Sequence, residues 1–131
     1  MAFAFLVARF FFNELTVVQT LMLFFSALFP DVDNKNSLIG RFFKLGTKHR
    51  QLFHSLILIL PVGYLIFKFA GKVYFEIFLI GSVSHIVLDS LTKAGVGVLY
   101  PFKFRFKGPI KTNSLLDYLL FFIFLFLLIY V

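Results

Sequence analysis

The chain has 131 residues, of which 60% are hydrophobic, 21% aromatic and 15% charged. Soluble domains run at about 45–50% apolar and about 25% charged, so a free cytosolic domain and a disordered chain are both excluded. The mean hydropathy of +0.95 agrees. A membrane helix takes about 20 residues, so the length holds about four of them with their loops. Residues 1–131 therefore read as a single all-α integral membrane domain, a helical bundle without an attached soluble domain. The net charge of +7 points to cytoplasmic loops beside anionic lipid rather than to nucleic acid, and no nucleic-acid partner is expected. The absence of cysteine excludes disulfides, iron–sulfur clusters and thiolate metal sites. A metal would have to use the three histidines and six carboxylates.

In chain order, residues 1–29 are apolar but broken by Arg9 and by Asn13–Glu14, so they form either one tilted helix or two short ones. In the split reading Asn13 caps the second helix and Glu14 suits its first turn. The stretch lacks the basic start and small-residue site of a cleaved signal peptide. Pro30 ends this region, and Asp31-Val32-Asp33-Asn34 follows. Residues 35–51 are polar and basic. A span is predicted over 52–69, with Pro61 as a kink, then a tight turn at Gly71–Lys72, then a span over 73–91. Residues 92–113 form a loop rich in glycine and proline. Within it, FKFRFK (102–107) alternates basic and aromatic residues and reads as a bilayer-surface segment. Ser114 caps a last apolar helix, and Asp117 lies three residues on. No internal repeat is visible.

Ten of the thirteen basic residues fall in the loops 35–51 and 92–113. The hairpin 52–91 places both loops on one side, and the positive-inside rule makes that side the cytoplasm of an inner-membrane protein. The same topology gathers Asp31, Asp33, His49, His54, His85 and Asp89 at that face, at or just below the membrane surface. His85 and Asp89 are i and i+4, with Cβ atoms about 5–6 Å apart on one helix face, where they can share an ion. An intramembrane carboxylate is costly unless it is paired or bound to a cation. Each residue also has a plainer reading. Asp31 and Asp33 can be an Asx turn, His49 surface, His54 an interfacial amphipath, and His85–Asp89 an intrahelical pair or a helix contact through Ser82 and Ser84.

LFPDVDN (28–34), HRQLFHS (49–55) and SHIVLDSLT (84–92), with Gly95 and Pro101 following, resemble in order the motifs of the YdjM-like family of small membrane proteins. That family is described as predicted membrane-bound metal-dependent hydrolases, distantly similar to zinc-dependent phospholipase C and P1-type nucleases. The resemblance covers residues 28–101. It implies Asp31, His49, His54, His85 and Asp89 as metal ligands, most simply for zinc, with Asp33 less firmly placed. Gln51 and Phe53 stand where the family has Gly and Thr, and residues 1–30 lack the family's early His.

The expected function is then a metal-dependent hydrolase of the phosphoesterase type at the cytoplasmic membrane face, acting on a lipid or lipid-linked phosphoester. Asp33 or Asp31 would accept a proton from water, Arg50 and Lys48 would hold a phosphate, and Ser55 and Ser90 would orient imidazoles. The alternative is a transport or proton-relay protein using His54, His85 and Asp89. A bis-His haem protein and a partner-binding structural protein stand further back. Oligomerisation would be unsurprising for so thin a bundle, although no GxxxG motif marks an interface.

Overall fold

The structure, a computed structural model, describes residues 2–33, 53–102 and 104–130, and for Asp33 the backbone alone. The described residues form five α-helices: α1 (Ala2–Phe11), α2 (Val17–Leu28), α3 (Leu56–Ala70), α4 (Lys72–Ser90) and α5 (Leu115–Tyr130). A 3-10 turn, Phe29–Asp33, follows α2. The first apolar region is thus two helices. The split lies three residues later than Asn13 predicts, because Thr16 caps α2. The Thr16 hydroxyl accepts from the Gln19 N–H at 3.3 Å, and the Gln19 side chain accepts from the Thr16 N–H at 2.8 Å. This reciprocal box satisfies two donors that a helix start leaves open. Asn13 instead accepts from Arg9 through its backbone carbonyl at 2.8 Å.

Only α4, with 19 residues and an extent of about 28 Å, is by itself long and apolar enough among the described helices to cross a membrane. Against an expectation of about four membrane helices, the described residues thus show one clear span. α1, α2, α3 and α5 are apolar but shorter. Pro61 lies inside α3 without ending it, and Gly71, at φ 92°, closes α3 and opens α4.

α4 is the axis. α2 runs parallel to it, with Leu23 buried beside Ile77 and Ala27 beside His85. α1 runs the opposite way, burying Ala4 and Ala8 one turn apart on the same cluster. The second cluster joins Ile59 of α3 to Phe78 and Ile86 of α4 and to Val96. Where α2 meets α4 the residues are small. A Cβ added to Gly81 would collide with the Ser26 hydroxyl and lie 2.9 Å from the Ala27 nitrogen. The Ser82 hydroxyl donates to the Ser26 carbonyl at 3.2 Å. Small residues let helix backbones approach in the absence of a hydrophobic drive between them. α5 buries none of its residues and meets α1, where Phe3 and Phe124 stand with ring centroids 5.0 Å apart.

These directions bring five helix ends together: the starts of α1, α3 and α5 and the ends of α2 and α4. The segment 92–113 folds back over this end through two isolated bridges, Val96 with Phe106 and Thr92 with Ile110. It is tied to α3 by the Leu56 N–H donating to the Val98 carbonyl at 3.0 Å. Gly108 sits against the Leu91 backbone, where no side chain fits.

Candidate metal centre

Three elements deliver side chains to this end. Asp31 comes from the 3-10 turn after α2, His54 from the turn just before α3, and His85 and Asp89 from the last two turns of α4. Pro30, buried at the end of α2, fixes the exit of the chain so that Asp31 faces α4. His54 is fully buried, while Asp89, His85 and Asp31 are 14%, 19% and 31% exposed.

His54 Nε2 lies 3.3 Å from Asp89 Oδ2 and 3.9 Å from Asp31 Oδ1. His85 Nε2 lies 3.7 Å from Asp31 Oδ2 and 3.9 Å from Asp89 Oδ2. The two imidazole rings stand 5.4 Å apart, tilted at 66°. Ligand atoms of Asp31, His54 and His85 all fall within 4.8 Å of one another, so these three could hold a metal ion.

The donor chemistry fits a cation. Four ligands at about 2.0–2.1 Å in a tetrahedron stand about 3.3 Å apart; the His54–Asp89 separation matches this, and the other three, at 3.7–3.9 Å, exceed it by about half an ångström. His85 gives the sharper indication. Its Nδ1 is 2.7 Å from the Ala27 carbonyl, which can only accept, so Nδ1 carries the hydrogen. In the neutral ring Nε2 then presents a lone pair toward two carboxylates. A cation placed between Asp31, His54 and His85 would be held by all three. A backbone carbonyl on the distal ring nitrogen is also the usual way a ligating imidazole is oriented.

Of the residues singled out in the sequence, Asp31, His54, His85 and Asp89 are therefore brought together. Asp33 closes the same turn. The expectations for His49, Arg50 and Lys48 lie outside the described residues. Ser90 does not orient an imidazole: its hydroxyl donates to the Val87 carbonyl of its own helix at 2.7 Å. Ser55 is buried beside His54 at the start of α3. Sequence reasoning missed the Ala27 carbonyl, whose signal was indirect: the small pairs Ser26–Ala27 and Gly81–Ser82 that let α2 lie against α4.

Among curated proteins, the chain is 31% identical over 98 residues to the inner membrane protein YdjM of Escherichia coli (strain K12), covering 65% of this chain and 50% of that protein. It is 33% identical over 98 residues to YvsG of Bacillus subtilis (strain 168), covering 67% of this chain and 61% of that one. The chain thus spans about half the length of the first of these relatives. No solved structure matches it. The family profile described as YdjM inner membrane protein matches residues 1–131, end to end, and the chain belongs to that membrane-protein family.

Proposed function

We propose that this chain is a metal-dependent hydrolase acting at the cytoplasmic membrane face on a lipid or lipid-linked phosphoester. The observation that carries the reading is the His85 imidazole, locked by Ala27 so that Nε2 faces Asp31 and Asp89 beside buried His54. Two imidazoles and two carboxylates suit zinc better than magnesium or calcium, which favour oxygen ligands. Asp31, His54 and His85 would hold the ion, with Asp89 beside them and His49 as a further ligand implied by the motif.

When bound, such an ion supplies Lewis acidity, making water a competent nucleophile near neutral pH and polarising a phosphoryl oxygen. The chain supplies the rest. The α2–α4 contact fixes the His85 ring. Asp33, two residues after Asp31 in the chain, is assigned as acceptor of the attacking water's proton. Arg50, with Lys48, is assigned to the phosphate, which a guanidinium grips with two parallel hydrogen bonds. The basic residues of 35–51 and 92–113 set the cytoplasmic orientation through the positive-inside rule.

The test is elemental analysis of detergent-purified protein, prepared without chelator, for the parent, His85→Ala and Asp89→Asn. Hydrolysis of p-nitrophenyl phosphorylcholine is measured alongside. The expected result is zinc in the parent, most of it lost in His85→Ala, and weakened binding in Asp89→Asn because its charge is gone. Equal metal content in all three, or none in the parent after zinc is added, overturns the reading.

A further inference from the structure

A cavity of about 370 Å³ lies between α1, α4, α5 and the segment after α4. Its polar groups, Asp89, Thr92, Thr112 and Asp117, all stand where α4 ends and α5 begins, interleaved with Leu88, Leu91 and Ile110; farther along α5 the wall is Leu120, Phe121 and Phe124. A second, smaller cavity of about 230 Å³ opens beside His85, and Leu88 and Asp89 line both. We propose that the larger cavity is a groove for one hydrocarbon chain of a lipid substrate, entered sideways from the bilayer, with its polar end delivered past Asp89 to the candidate centre. This rests on the hydrolase reading and adds to it the site that would select the substrate.

Four observations support that occupant. The first is that the groove's polar groups all stand at one end, among apolar ones, while the wall farther along α5 is wholly apolar, which matches an amphiphile with its head toward the helix ends. The second is the face of α5: Asp117, Leu120, Phe121 and Phe124 follow at i, i+3, i+4 and i+7 and so form one stripe turned to the groove. Its polar member is held in place, since Asp117 Oδ2 accepts from the Asn113 N–H at 2.9 Å. The third is packing. Among the described elements α5 rests on α1 and makes no packed interface with α4, and the cavity lies between them. The fourth is depth. The groove runs beside the apolar lengths of α4 and α5, where a water-filled slot would face hydrocarbon and an acyl or isoprenoid chain is the abundant apolar filler. Its volume lies in the range of about 300–1,000 Å³ usual for ligand sites.

The chain has no tryptophan, so single tryptophans can report on the groove. Leu120→Trp and, as a second reporter, Phe124→Trp place an indole on its wall, while Ile123→Trp places one on the outer face of α5. Each protein is put into phosphatidylcholine vesicles containing a small fraction of phosphatidic acid brominated on its acyl chains. The expected result is saturable quenching at 120 and 124, several-fold stronger than at 123, with or without added zinc. Thr112→Phe, which fills the mouth, should reduce quenching at 120 and 124 to the level at 123.

Equal quenching at the three positions overturns the groove. So does efficient disulfide formation between two copies of Leu120→Cys accompanied by absence of quenching at 120, because a second copy of the chain would then cover this face. Selective quenching in a protein that binds no zinc leaves the groove standing and removes the hydrolase. Zinc binding with equal quenching removes the groove alone.

Discussion

Gly81→Ala tests whether the approach of α2 to α4 is what sets the His85 ligand. The added methyl would meet the Ser26 hydroxyl and the Ala27 backbone nitrogen, the latter at 2.9 Å, and a helix backbone cannot rotate out of the way as a side chain can. Relief requires α2 to move outward by about half an ångström, which stretches the 2.7 Å bond from His85 Nδ1 to the Ala27 carbonyl on the same turn. Overpacking of this kind costs about 1–3 kcal/mol, and replacing a helical glycine by alanine returns up to about 1 kcal/mol. The net expectation is a loss of about 1–2 kcal/mol in stability. Loss of an orienting partner lowers metal affinity by about 10–100-fold.

Gly63→Ala is the control. Its methyl would meet the edge of the Phe75 ring at 3.1 Å, a side chain that can swing aside, and the position is remote from the ligands. Gly63→Ala should melt within about 1 kcal/mol of the parent and keep parental zinc affinity. Thermal unfolding in detergent and competition with a zinc-chelating dye read both quantities. A Gly81→Ala protein that melts with the parent and binds zinc as tightly refutes the argument, and so does a Gly63→Ala protein that loses affinity to the same degree.

Two further outcomes follow from the fold. Thr16→Ala removes one half of the reciprocal cap of α2 and should cost about 1 kcal/mol in thermal unfolding while leaving zinc stoichiometry intact, because the cap lies at the far end from the ligands. Because the chain lacks cysteine, single cysteines introduced at Lys44 and Lys107 should react from the cytoplasmic side alone and one at Lys72 from the opposite side. Labelling of 44 and 107 from different sides would break the orientation on which the hydrolase reading rests.

Much of the architecture was legible because it is written in hydropathy and breakers. Pro30, Gly71 and Ser114 mark ends that the helices respect to within a residue or two, although Asp117, accepting from the Asn113 N–H, and not the Ser114 hydroxyl makes the bond at the start of α5; the return at Gly71 forces residues 54 and 85 to the same end. The start of α2 was misplaced because Asn13 is a good capping residue by type, whereas the T-x-x-Q pair at 16 and 19 carries the reciprocal bond. The sequence also could not say that α1 returns alongside α4 to the site end. That depends on Ala4 and Ala8 offering a narrow face, a packing property rather than a periodic one. At the candidate centre, residue type and i, i+4 spacing pointed to His85 and Asp89. The Ala27 carbonyl has no side-chain signature, and Ser90 lost its expected role because a serine in the last turn of a helix readily bonds back to its own backbone.

The placement of polar groups along α4 bears on the choice between a hydrolase and a relay. A relay needs protonatable groups spaced through the bilayer. On α4 the described titratable side chains stand at its two ends. Glu76 is 39% exposed and 3.5 Å from Lys72, a helix-surface pair, while His85 and Asp89 lie at the other end. The nine residues from Glu76 to His85 span about 13.5 Å. Of the two hydroxyls between them, Ser82 donates to Ser26 of α2, which in turn donates to Met22 and Leu23 of its own helix, and Ser84 lines the small cavity next to His85 at the site end. Hydroxyls committed to carbonyls tie helices together and are poorly placed to pass protons along. A cluster gathered at one end of α4, beside the segment that follows it, is compatible with the proposed site working at one surface. A path for ions or protons would instead require titratable groups to recur across the thickness that α4 spans.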